Sequence, residues 1–107
     1  MPIIYNCSGY EDMETLELLE GTVDIYLPDV KYSDDEIAFK YSGVKDYVEV
    51  NRVALKEMKR QVGDLTVDSE GAAQKGVIVR HLVLPGNVEN TKKALEFIAK
   101  NYQKILL

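Results

Sequence analysis

Three short polar clusters combine residue types that can hold a charged ligand: Asn6-Cys7-Ser8-Gly9, Asp29-Val30-Lys31 and Arg80-His81. Lys31 and Arg80 are cations, Asp29 is a carboxylate of opposite sign, and Asn6 and Ser8 offer neutral donors and acceptors. Arg80 makes the strongest demand. It interrupts the longest apolar run of the chain, Gly76 to Gly86. A guanidinium keeps its proton, so the strand that carries it must supply an anion or water. Two arrangements meet that need. One is an edge strand with Arg80 paired to a nearby carboxylate; the other is a strand end that grips a ligand carboxylate or phosphate bidentately. Alternation puts Ile78, Arg80, Leu82 and Leu84 on one face and Val77, Val79, His81 and Val83 on the other. His81, the only histidine, then reads as a hydrogen-bonded core residue under a helix.

The elements that must position these clusters are legible from periodicity. Met1 to Gly9 suits a short strand ending in a turn, and Glu11 to Glu20 a helix stopped by Gly21. Thr22 to Lys31 is the second strand, with Val23, Ile25 and Leu27 on one face and Asp29 and Lys31 continuing it. Asp34-Asp35-Glu36 marks the start of a short helix. A longer helix spans Asp46 to Val62, with Val50, Ala54, Met58 and Val62 at helical spacing and Gly63 as its stop. Asp64 to Lys75 reads as a polar connection. Gly76 to Gly86 is apolar on both parities, which predicts a strand covered on both faces. Asn87 or Asn90 caps the last helix, whose apolar stripe is Val88, Leu95, Ile98, Tyr102 and Ile105. The order is β-α-β-α-β-α: an α/β fold of three consecutive βα units forming a parallel sheet with right-handed crossovers. Ligand sites in such units lie beyond the carboxyl ends of the strands, where all three polar clusters fall.

Composition narrows the classes. The chain has 107 residues, 46% hydrophobic and 29% charged, which fits one domain over 1–107. A net charge of −5 and a pI near 4.8 argue against nucleic acid and anionic membrane as partners. No run reaches transmembrane length and the first residues lack a basic segment followed by an apolar one, so the expected location is the cytoplasm. Cys7 is the only cysteine, which excludes an internal disulfide and an all-cysteine iron–sulfur site within one chain. It reads as a small buried hydrophobe. One histidine, one cysteine and unclustered carboxylates give no self-contained metal site and no Ser-His-Asp arrangement, so neither a metal ligand nor a catalytic residue is assigned. The seven tyrosines read as packing and surface residues.

Three segments together resemble a known family. Tyr5-Asn6-Cys7-Ser8-Gly9-Tyr10-Glu11 is similar to the Asn-X-Ser-Gly-Tyr-Glu strand end of radical S-adenosylmethionine (SAM) enzymes. Val23 through Tyr32 resembles their next strand, ending in Asp-X-Lys at Asp29 and Lys31. Gly76 through Gly86 resembles the following one, with its Arg-(His/Tyr)-Leu-Val-Leu-Pro-Gly signature. Ala54 through Gly63 also looks like the paralogue branch of the pyruvate formate-lyase activating enzymes, the nearest members of that superfamily. The resemblance covers nearly the whole chain in order. It implies a partial (β/α) barrel in which Arg80 and Lys31 contact the methionine carboxylate or nearby polar groups of SAM. It also implies Asp29 beside a bound cation or the ligand, and Asn6 and Ser8 by the ribose or methionine portion.

The family holds a 4Fe–4S cluster on a Cys-X3-Cys-X2-Cys loop and follows it with a Gly-Gly-Glu segment. This chain contains neither. The resemblance therefore implies the C-terminal part of a radical-SAM barrel, as a fragment, a subunit or a remnant, with no SAM cleavage by this chain alone. The expected partners are a missing N-terminal half or a second copy of the chain, because three βα units leave two unpaired sheet edges. In full-length activating enzymes the substrate is a glycyl-radical protein. The alternative is a non-catalytic α/β interaction or signalling module, in which Asp34-Asp35-Glu36 and Lys31 resemble an acidic phospho-acceptor pocket with its lysine.

Overall fold

The computed structural model describes residues 1–102 and the backbone of residues 105–106. It is a mixed α/β structure of four helices and a four-stranded, mostly parallel sheet. Strand β1 is Ile4–Cys7, β2 is Ile25–Pro28, β3 is Thr66–Val67 and β4 is Ala73–Val77, in the spatial order β1-β2-β4-β3. Strand β1 pairs parallel to β2, and β2 parallel to β4; β3 runs antiparallel to β4. Helix α1 is Met13–Leu19, α2 is Asp35–Ser42, α3 is Tyr47–Val62 and α4 is Val88–Asn101.

Register assigns the faces. Tyr5, Tyr26 and Val77 are cross-strand partners, and the core cluster joins them to Leu16 of α1, to Ala54, Leu55, Met58 and Val62 of α3, and to Ala94 and Ile98 of α4. The rings of Tyr5 and Tyr26 meet edge to face at 6.0 Å. The other parity carries Ile4 opposite Ile25, Asn6 opposite Leu27, and Asp29 opposite Arg80. This face is largely open: Ile4 is 58% exposed, and Asn6 and Arg80 are exposed. Ile25, flanked in mid-sheet by Ile4 and Gly76, and Asp29, paired with Arg80, are buried on it.

Local signals set the helix ends. The Asp12 carboxylate accepts the Thr15 N–H at 2.7 Å, so α1 begins at Met13 rather than Glu11. Asp34 caps α2 by accepting from Glu36 and Ile37 N–H groups. Gly63 ends α3 at φ 75° while its N–H donates to Lys59 O at 2.7 Å.

Several expectations need correction. The run from Gly76 to Gly86 is not one strand. Strand β4 ends at Val77, β5 is Val79–Arg80, and Leu82 to Leu84 lie outside any strand. Ladder pairing stops there because the next backbone groups along β2 are taken by side chains: Lys31 N–H by Tyr47 and Lys31 O by Asn90. Alternation still holds through Leu82, with Val77, Val79 and His81 buried while Arg80 and Leu82 are exposed. The strand is covered on one face only. The polar connection contains β3 and the start of β4, an antiparallel hairpin added to the three βα units, while the two helices expected between β2 and it are both present. In α4 the buried positions are Asn90, Ala94 and Ile98, while Val88 is 75% exposed. Asn87 is the N-cap position, and Ile105 belongs to β6, Ile105–Leu106, which pairs parallel to β5.

Candidate functional site

Asp29, Lys31 and Arg80, 51 residues apart in sequence at the extremes, line one hollow of about 450 Å³ together with His81 and Leu82. It lies at the carboxyl ends of β2 and β5. Arg80 Nε donates to Asp29 Oδ1 at 2.7 Å and Nη2 to Oδ2 at 3.2 Å, a two-point fork. Of the two arrangements foreseen for Arg80, the pairing with a nearby carboxylate is the one present, and it sits at a strand end. Asp29 is mostly enclosed, whereas the Arg80 side chain is 47% exposed. The hydrogen bonds and charge of Asp29 raise the pKa of Arg80 further, so the group is a permanent cation. With Lys31 on the same wall, the hollow holds two cations against one carboxylate.

Of the other sequence-derived residues, Asn6, Ser8 and Cys7 lie close by but not in this hollow, whereas His81 lines it. Asn6 sits on the same open face, opposite Leu27 in the adjacent strand. Ser8 is exposed where β1 turns away, its Oγ accepting Tyr10 N–H at 3.3 Å. His81 lines the hollow from within the core, almost fully buried, with Nδ1 2.5 Å from Val30 O and Nε2 3.4 Å from Thr91 Oγ1 of α4. Cys7 is half-buried against the core. Burial pushes its thiol up to about 11, far from a reactive thiolate. The acidic pair after Lys31 is committed elsewhere: Asp34 caps α2, and Asp35 Oδ1 accepts Val48 N–H at 3.1 Å.

Periodicity singled out Val50 and passed over Asn51, yet Asn51 is the residue that reaches the site. It is fully buried, and its Nδ2 donates to Gly9 O and Asp29 O, both at 2.9 Å. One turn earlier, the Tyr47 hydroxyl accepts Lys31 N–H at 3.0 Å and lies 3.1 Å from Ser8 O and 3.3 Å from Asp29 O. Burial raises the Tyr47 pKa well beyond the normal phenol range, which keeps the hydroxyl a neutral donor. From α4, Asn90 accepts Ser33 N–H at 2.7 Å and donates to Lys31 O at 3.2 Å. The signal was present: Tyr47, Asn51, Leu55, Met58 and Val62 share the buried side of α3. A polar residue inside an apolar stripe must find buried partners.

Comparison with curated proteins finds an uncharacterized protein of Methanocaldococcus jannaschii that is 31% identical over 105 residues. The match takes in 94% of this chain and 26% of that protein. The chain spans about a quarter of the length of the curated relative it matches. No family model matches the chain, and no solved structure matches it significantly.

A second hollow, of about 550 Å³, lies between the start of α1 and the first turns of α3. Glu11, Asp12, Asp46 and Glu49 edge it, so its charge is opposite to that of the strand-end site. The Tyr10 hydroxyl donates to Asp46 at 2.5 Å across its rim. Among the described residues, the helices include none long and apolar enough to cross a membrane.

Proposed function

We propose that this chain is part of a radical-SAM-type (β/α) barrel and supplies the pocket wall that receives the carboxylate of S-adenosylmethionine. The observation that carries this reading is the convergence of Asp29, Lys31 and Arg80 on one strand-end hollow with a cation in excess. In the bound form Arg80 and Lys31 face the ligand carboxylate. Arg80 has a second N–H edge beyond the one taken by Asp29, and charge-assisted bonds of this kind are the strong ones. Asp29 holds the guanidinium in orientation and balances one cation, or faces the cationic end of the ligand. Asn6 and Ser8, on the adjoining strand end, lie toward the ribose or methionine portion.

The open sheet face supports the barrel reading. Parallel strands are ordinarily covered on both sides, and here the helical part of the core meets only the face of Tyr5, Tyr26 and Val77. The face of Ile4, Asn6, Leu27 and Arg80 is then the barrel interior. The outer edge of β1 receives further strands from an N-terminal half, or from a second copy. A 4Fe–4S cluster does not fit this chain: its one thiol is half-buried and protonated, and such clusters take several thiolates. The radical chemistry, and any glycyl-radical protein substrate, belong to the larger assembly.

Calorimetric titration with SAM tests the pocket. The expected result is saturable binding that weakens roughly tenfold to a hundredfold in Arg80→Ala, the worth of a charge-assisted bond. Lys31→Ala weakens it less, and added salt weakens it throughout. Equal affinity in Arg80→Ala, or no binding to the unmodified chain, overturns the reading.

A further inference from the structure

The groups that line the strand-end hollow are themselves held from behind. Asp29 and Lys31 carry two of its three charges, and their main chain is grasped by three buried side chains from two helices. Asn51 ties Asp29 O to Gly9 O. The Tyr47 hydroxyl bonds Lys31 N–H and lies between Ser8 O and Asp29 O. Asn90 closes the loop from the other side, at Lys31 O and Ser33 N. None of the three lines the hollow. Gly9 is part of the same construction. At φ 79°, a Cβ on residue 9 would overlap the Asp29 carbonyl and Asn51 Nδ2, so only glycine lets the amide reach both carbonyls.

From this geometry we infer that Tyr47 and Asn51 are positioning residues for the strand-end site, setting where Asp29 meets Arg80 without contacting a ligand. The inference rests on the proposed anion-receiving role only for its consequence, since the geometry it concerns is present without ligand. A two-point guanidinium–carboxylate fork is sensitive to small displacements. Asp29 sits on backbone held at its carbonyl by α3, whereas Arg80 is held through its own carbonyl by Val30 N–H at 2.8 Å. Val30 N–H and Asp29 O belong to one peptide unit, so loosening α3's hold disturbs the peptide that places both partners of the fork.

The Arg80 Nε–H resonance reports the fork directly by NMR. Tyr47→Phe keeps the ring, with its stacking on Tyr10 and its edge contact with Tyr32, and removes only the hydroxyl. Asn51→Ala removes the amide. Tyr26→Phe is the matched control: it also loses a phenol bond from the folded core, to Gln61 at 2.5 Å, but away from the site. The expected result is a shifted or exchange-broadened Arg80 Nε–H signal in Tyr47→Phe and Asn51→Ala, with Tyr26→Phe unchanged. SAM affinity should fall by roughly fivefold to tenfold in Tyr47→Phe, measured well below every variant's unfolding midpoint. An Arg80 signal that is unmoved in Tyr47→Phe, or moved equally in Tyr26→Phe, overturns the inference. If the unmodified chain fails to bind SAM, the proposed function falls while the resonance still decides this point.

Discussion

Tyr26 and Leu27 are neighbours in β2 with opposite surroundings. Tyr26 is fully buried among helix side chains, with its ring against Tyr5 and its hydroxyl donating to Gln61. Leu27 faces the other way and is only half-buried, beside Asn6 and in line with the open surface that ends at Asp29 and Arg80. The same contrast runs along the sheet. The covered face holds Tyr5, Tyr26, Val77 and Val79 and contributes the cohesion of the domain. The open face holds Ile4, Asn6 and Arg80 and contributes little. Stability and candidate chemistry thus sit on opposite sides of one layer. The polar clamp of Tyr47, Asn51 and Asn90 is where the two meet, since it is buried on the helix side and acts on the strand ends.

Substitutions on the two faces should separate these roles. Leu55→Ala, in the middle of the covered face, should cost about 2–5 kcal/mol of unfolding free energy by denaturant titration, through lost contacts and a cavity. A cost as small as that of a surface change would mean that the helices do not form the main core. Cys7 sharpens the contrast chemically. With its thiol pushed up to about 11 from an ordinary value of 9.0, alkylation at mildly alkaline pH should be roughly a hundredfold slower in the folded chain than in the unfolded one. The linkage has a definite sign. The unfolded thiol loses its proton first, so this contribution to stability is full below about pH 9 and is lost as pH rises toward about 11. An unfolding midpoint that rises over that interval would contradict the burial of Cys7.

Gly9→Ala should cost about 2 kcal/mol or more, because it combines a left-handed backbone with displacement of the Asn51 amide. It should also disturb the Arg80 Nε–H signal, linking the clamp to the open face. The smallest effect belongs to Ile4→Ser. Ile4 is 58% exposed, so the isolated chain should change by no more than about 0.5 kcal/mol. If the open face is covered by a partner or a second copy, the same change should weaken that association in sedimentation. A large loss of stability in the monomer would mean that this face is already part of the core.

Much of this arrangement was legible in the residues. Alternation placed Arg80 opposite His81 and put Asp29 with Lys31, and both survive in the structure. Asp34 announced α2, and Gly63 announced the end of α3. The single long strand from Gly76 to Gly86 misled because an apolar run gives no sign of where its neighbour stops. Strand β5 ends where the Lys31 backbone is captured by Tyr47 and Asn90, and those partners come from distant helices. The hairpin of β3 and β4 was hidden in a polar segment whose residues are mostly exposed, so it carried no apolar period to read.

The residues alone set what is local: which of them share a strand face, which side of α3 is apolar, and where carboxylates cap helices. These follow from interactions between residues a turn or a pleat apart. Only the tertiary structure decided that the Arg80 fork closes on Asp29, and that Asn51 reaches both Gly9 and Asp29. Such contacts span 51, 42 and 22 residues. They depend on the parallel register of β1, β2 and β5 and on the depth at which α3 packs, which the whole core sets together.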